Sequence, residues 1–135
     1  MKTFLFLSLS TLFSLNVMAS PVCDLPYDLA EEEGVVEIST TVITKAAGLS
    51  KLQKNQIIAT AKRYTGKNRV TITAAINDLM ENSEGGDLYY KVFKFKNVRY
   101  TMVEYYPGGN PYGVVFKGLE AVAHRTDGDL NCTDL

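Results

Sequence analysis

The sequence predicts an α+β domain in which two helices pack on one face of an antiparallel sheet. A run rich in Val, Ile and Thr precedes two stretches of helix-forming residues, and short β-like runs separated by turn residues fill the second half of the chain. Helices and strands segregated along the chain in this way are typical of the α+β class. Two cysteines near opposite ends further predict a disulfide that joins the termini.

Residues 1–19 predict a cleaved secretory signal peptide. Lys2 supplies the positive start, an apolar run follows from Phe4 to Val17, and Ala19 is a small residue suited to cleavage. The apolar run is short for a membrane span, and no later segment replaces it. We therefore expect export to the periplasm or the extracellular space, with residues 20–135 as one α+β domain and no membrane span in the mature chain.

The two cysteines are consistent with the predicted export. Cys23 and Cys132 form an even pair, which in an oxidising compartment predicts one disulfide. Lipidation of Cys23 is an alternative, as is an uncleaved membrane anchor, but Val22 stands where a lipoprotein signal needs a small residue. With one histidine and no CxxC spacing, the sequence predicts neither a metal site nor a cofactor.

The helical half of the chain carries clear start and stop signals. The Val-, Ile- and Thr-rich run before the helices predicts a strand over Val35–Thr44. Ser50 is a suitable N-cap for a helix over Lys51–Tyr64, which Gly66 ends. Apolar residues at helical spacing predict a second helix over Thr71–Asn82.

The β half predicts a four-stranded antiparallel meander. The dipeptide Lys96-Asn97 is suited to a tight hairpin, and Pro107-Gly108 favours a turn in the central loop. The order of elements is compatible with cystatin-like and with microbial-ribonuclease-like domains, although the sequence lacks the Gln-x-Val-x-Gly pattern of cystatins. The four strands are predicted over Leu88–Phe95, Val98–Tyr106, Tyr112–Lys117 and Leu119–Thr126.

The central loop of the meander predicts a binding surface. Tyr, Gly, Asn and Pro dominate it, and tyrosine gives rigid contact area at low entropic cost. The leading hypothesis is therefore a non-enzymatic binding or inhibitor-like protein whose partner is another protein. The alternative is that these tyrosines simply suit half-buried strands. The candidate contact residues are Tyr105, Tyr106, Asn110 and Tyr112.

A basic edge on the first helix predicts a second kind of contact. Lys51, Lys54 and Lys62 fall on one side of the helix, and no acidic residue occurs between Ile38 and Asn77. An anionic envelope polymer is the partner that this edge suits, unless the acidic stretch from Asp24 to Glu37 lies against it. The formal net charge of −1 argues against a nucleic-acid partner.

A small secreted hydrolase, such as a ribonuclease, is the alternative function. It would use Glu104 and His124 as a general acid/base pair, with a cation to steady the phosphate. Arg125 follows His124 but points to the opposite face of a strand, so Arg99 or Lys117 would supply that cation. The series Asp127-x-Asp129-x-Asn131 begins like a calcium loop but lacks the acid at position 12.

Overall fold

The computed structural model describes residues 23–26, 29, 34–68, 70–126, 129–132 and 135. The predicted signal peptide, most of the acidic stretch between residues 27 and 33, and Asp127 lie outside the described residues. Of the described helices, none combines the length and apolar character that a membrane span needs.

The structure contains two helices, six strands and one short 3-10 turn within the residues it describes. The α+β class predicted from the sequence is confirmed. In chain order the elements are β1 (Val35–Ile43), α1 (Lys51–Thr65), α2 (Ile72–Glu81), the 3-10 turn (Glu84–Gly86), β2 (Leu88–Phe95), β3 (Val98–Tyr105), β4 (Tyr112–Lys117), β5 (Glu120–Arg125) and β6 (Leu130–Asn131).

Both helices begin and end where their capping residues dictate. The Ser50 side chain accepts a hydrogen bond from the Gln53 N–H, and the Gln53 side chain accepts one from the Ser50 N–H. This capping box satisfies two backbone donors that α1 would otherwise leave unpaired. Gly66 ends α1 in the left-handed conformation at φ 70°. Thr71 caps α2 through its side-chain oxygen.

The sheet is larger than the sequence predicts. The four-stranded meander is wrong in its strand count, because β1 pairs with β2 and the short β6 pairs with β5. All six strands are antiparallel and follow one another in chain order. The β2–β3 hairpin turns at Lys96 and Asn97, both with positive φ, as a type I′ turn requires.

Each face of the sheet has its own apolar core. Helices α1 and α2 cover one side, which we call the helix face, and there Ile57, Ile76 and Val103 are almost fully buried. Cys23, Leu25 and Leu29 pack on the opposite face, where Leu25 is fully buried. Cys23 and Cys132 form a disulfide with their Cα atoms 5.9 Å apart, so the predicted bond is confirmed.

Candidate binding site

The loop between β3 and β4 projects from one end of the sheet. Pro107, Gly108, Gly109 and Asn110 are all exposed. The loop is nevertheless fixed to the segment after α2, both at its base and within its tip. The Tyr106 N–H donates to the Ser83 hydroxyl at 3.1 Å, and the Gly109 N–H donates to the Glu84 carboxylate at 3.2 Å. The loop therefore presents its tip on an anchored base.

Three tyrosines pack together beside this loop. Tyr64 comes from the end of α1, Tyr105 from β3 and Tyr112 from β4. Their ring centroids lie 5.5 to 5.9 Å apart in edge-to-face geometry, which is favourable for aromatic rings. The Tyr64 hydroxyl lies 2.8 Å from the Gly113 carbonyl oxygen and 2.7 Å from that of Arg125. These contacts hold the end of α1 against the sheet.

The three rings and the loop enclose an open cleft of about 720 Å³. We call it the tyrosine cleft. Polar side chains from the ends of both helices form its other wall, so the cleft combines an aromatic side with a charged one. Its lining residues are Tyr64, Thr65, Lys67, Asp78, Glu81, Asn82, Tyr105, Pro107, Gly108 and Tyr112.

Tyr105 is the most deeply buried of the cleft tyrosines. Only 5% of its surface is exposed, and its hydroxyl makes no hydrogen bond to any residue that the structure describes. Burial, followed by the neighbouring Tyr64 and Tyr112, raises the pKa of Tyr105 to about 12. Buried polar groups in proteins are ordinarily hydrogen-bonded, so the Tyr105 hydroxyl is a polar group that the described residues leave without a partner.

The charges of the cleft do not cancel among its described lining residues. Lys67 and Asp78 form an ion pair at 2.7 Å. Glu81 also lines the cleft and has no ion-pair partner within the described part of the chain. The C-terminal ends of α1 and α2 meet here, and helix C-termini carry partial negative charge. The cleft is therefore electronegative.

The predicted contact residues divide between two places. Tyr105 and Tyr112 lie in the tyrosine cleft, and exposed Asn110 lies in the loop beside it. Tyr106 instead turns to the opposite face of the sheet, where its hydroxyl donates to Glu104 at 3.1 Å. The expected tyrosine surface is thus smaller than the sequence implies, and one of its members, Tyr105, belongs to the core of the helix face.

Glu104 lies at the centre of a buried charge cluster. Its side chain is fully buried, with Lys91 Nζ 2.7 Å from one carboxylate oxygen and Arg125 Nη1 2.9 Å from the other. Burial, and then the Glu104 charge, raise the pKa of the adjoining Tyr106 to about 12. A cavity of about 380 Å³ lies over Lys91 and Arg125. Both carboxylate oxygens of Glu104 are therefore engaged in ion pairs.

The proposed acid/base pair of a hydrolase is not brought together. Arg125 contacts Glu104 on the face opposite the helices, and His124, the next residue along β5, points to the helix face. His124 pairs with Val114, which packs in the helix-face core. The expected cations, Arg99 and Lys117, form no ion pair with Glu104. Its ion pairs are with Lys91 and Arg125 instead.

The basic edge of α1 lies apart from the tyrosine cleft. Lys51 and Lys62 are exposed and Lys54 is half-buried. None of the three lines the cleft, and Lys62 instead borders a separate groove with Arg63. Contact of this edge with an anionic polymer stays a prediction.

Sequence reasoning did not identify Tyr64, Lys91 or Arg125 as site residues. Tyr64 is separated from Tyr105 by the second helix and two strands, so no local pattern joins them. Alternation along β2 and β3 does place Lys91 and Glu104 on one face, which is a usable signal once their register is known.

No known protein family, curated protein or solved structure matches this chain.

Proposed function

We propose that this protein is a non-enzymatic binding domain that takes a segment of a partner protein into the tyrosine cleft. The observation that carries the proposal is the cleft itself, an open 720 Å³ space between an aromatic wall and an exposed, anchored loop. Recognition sites combine concave shape, aromatic lining and a few polar groups in this way. Tyrosine is also enriched among residues that dominate binding energy at protein interfaces.

We further propose that the protein acts after export, in the periplasm or the extracellular space. The Cys23–Cys132 disulfide supports this proposal, because disulfides persist in oxidising compartments and are rare in the cytosol. The apolar run at residues 4–17 supports it from the sequence.

The binding proposal is tested by blocking the cleft. Peptides are selected from a random phage-displayed library on the wild-type protein, and their affinities are then measured for two tryptophan variants. Gly108→Trp adds a bulky side chain at a residue that lines the cleft, without backbone strain, since Gly108 has no positive φ and a Cβ there meets open space. Leu119→Trp is the matched control, at an exposed turn between β4 and β5.

Peptides bound in the cleft should keep their affinity for Leu119→Trp. Their affinity for Gly108→Trp should be at least about tenfold lower, which corresponds to roughly 1.4 kcal/mol of binding free energy. Equal binding to all three proteins would place the contact elsewhere and overturn the proposal, as would failure to select any binding peptide. Thermal unfolding of both variants checks that the fold is retained.

A further inference from the structure

We infer that the tyrosine cleft selects a cationic side chain, arginine or lysine, from the partner segment. This inference rests on the proposed binding role of the cleft and adds the chemistry of the bound group. Three features of the cleft support it: a buried hydroxyl that no described residue pairs with, a helix end whose last turn has no basic residue, and aromatic rings.

Tyr105 lines the cleft, and its hydroxyl is an acceptor that no described residue uses. Tyr105 is only 5% exposed, and its ring packs edge-to-face against those of Tyr64 and Tyr112. Ring contacts leave the oxygen lone pairs unused. A guanidinium or ammonium group carries only donors, so it matches this acceptor without leaving an acceptor of its own unpaired.

The end of α2 contributes negative potential to the cleft. Its last turn contains no basic residue, whereas the last turn of α1 contains Lys62 and Arg63. Glu81, the last residue of α2, adds a full negative charge at the cleft. Lys67 offsets Asp78 rather than Glu81. A cation is attracted to this helix end, and an anion is repelled from it.

The tyrosine faces favour a cation as well. A guanidinium over an aromatic face is attracted by the negative face of the ring, more so where water is excluded. The protein already shows this geometry, since the Arg63 guanidinium carbon lies 5.8 Å from the Tyr64 ring centroid. Half-buried Tyr112 supplies a further ring at the cleft. A neutral apolar group would gain contact with the rings but nothing from the Tyr105 hydroxyl or Glu81.

The test uses four small probes that differ in charge at similar size. They are N-acetyl-arginine amide, N-acetyl-lysine amide, the neutral isostere N-acetyl-citrulline amide, and N-acetyl-glutamate amide. Binding is followed on the ¹⁵N-labelled protein through the backbone amide shifts of Asn82, Gly108 and Tyr112, which surround the cleft. The two cationic probes should shift these amide signals. The citrulline probe should bind with at least about threefold lower affinity, and the glutamate probe with lower affinity still.

Two test variants and one control variant separate binding from folding. Glu81→Gln should weaken the cationic probes severalfold and leave the citrulline probe unchanged, whereas Glu120→Gln, at an exposed site at the start of β5, should change neither. Tyr105→Phe should weaken the cationic probes while thermal stability stays the same or rises, because the change removes an unpaired buried hydroxyl. A purely structural role for Tyr105 would not separate affinity from stability in this way.

The possible failures are distinguishable. If the citrulline or glutamate probe binds the cleft as tightly as the arginine probe, the cation inference is overturned and the binding proposal stands. The cation inference fails alone, too, if selected peptides bind the cleft but none of the four probes shifts its amides. If neither peptides nor probes bind there, both the inference and the proposed function fail.

Discussion

The carboxylate of Glu104 on β3 accepts a hydrogen bond from the Arg125 guanidinium on β5, although β4 runs between them. The residue of β4 that lies between the two is Gly113, which pairs with Glu104 on one side and with Arg125 on the other. Because Gly113 has no side chain, the arginine can reach across the intervening strand. A glycine in the interior of a strand often marks such a close approach.

Gly113→Ala should therefore destabilise the protein. The added Cβ would lie 2.5 Å from the Val103 carbonyl oxygen and 3.2 Å from the Glu104 Cα, both backbone atoms that cannot move aside cheaply. We expect a loss of about 1–3 kcal/mol of unfolding free energy in urea titration, as for overpacked sites. Gly108→Ala is the matched control, with open space around its Cβ and an expected change within about 0.5 kcal/mol. Equal stabilities of the two variants would contradict the close approach.

Glu104→Gln should lower the free energy of unfolding by more than an ordinary surface substitution does. The substitution leaves Lys91 and Arg125 without the charge that both contact, and removing one partner of a buried ion pair costs roughly 3–5 kcal/mol. We expect the lower end of that range, since the Lys91 side chain is 25% exposed and water can reach it. Denaturant unfolding measures the change, with Glu120→Gln as the exposed control. A loss under about 1 kcal/mol would mean that the cluster is solvated in solution.

Removing the disulfide should lower stability by a large amount. The sequence separation of Cys23 and Cys132 is 109, and chain entropy assigns a closed loop of that length roughly 4–5 kcal/mol. The double variant Cys23→Ser, Cys132→Ser should show this loss in urea, and the wild-type protein should match it after reduction. Thiol titration of the unreduced, denatured wild-type protein should find no free thiol. Two reactive thiols in that sample would contradict the bond.

Stability should fall as the pH rises from about 10 towards 12. The folded-state pKa values of Tyr105 and Tyr106 are raised to about 12, against an ordinary value of 10.0. A raised folded pKa means that the folded protein holds these protons more tightly than the unfolded chain does. The stabilisation is therefore complete below the unfolded pKa and is lost as the pH passes through the folded one.

Two measurements check this pH dependence. Absorbance at about 295 nm, where phenolate absorbs, should show a group of tyrosines that titrates later than the rest. Between about pH 9 and pH 12 the melting temperature should fall more steeply with pH for the wild type than for Tyr105→Phe, because the variant lacks the Tyr105 hydroxyl proton. Identical slopes for the two proteins would show that Tyr105 ionises like an exposed tyrosine.

The local elements could be predicted because their signals are local. Ser50 and Gly66 bound the first helix through their own hydrogen bonding and backbone preference. Lys96 and Asn97 adopt the positive φ that a two-residue hairpin needs. The strand over Val35–Thr44 was predicted, but its place in the sheet and the existence of β6 were not, for equally physical reasons. β6 contains only Leu130 and Asn131, too few for a period-two pattern, and the pairing of β1 with β2 joins segments that two helices separate.

The candidate site was predicted less well because its parts come together only in the folded protein. The sequence predicts Tyr105 as a contact residue at the edge of the loop, yet α1 covers it by placing Tyr64 5.6 Å away. The face to which Arg125 points depends on a register shift between Val115 and Phe116, and a single such shift reverses the faces of the residues beyond it. Strand alternation alone therefore separates His124 from Arg125 but does not tell which of the two meets Glu104.

The bond between Cys23 and Cys132 also changes what a protease can do to this protein. It closes residues 23–132 into a covalent ring, so a single cut anywhere within the ring leaves the two pieces linked as one molecule. The exposed tip at residues 107–110 is the kind of site at which such cuts occur. A nicked protein would migrate as one species until it is reduced, and its two pieces would stay near each other at high effective concentration.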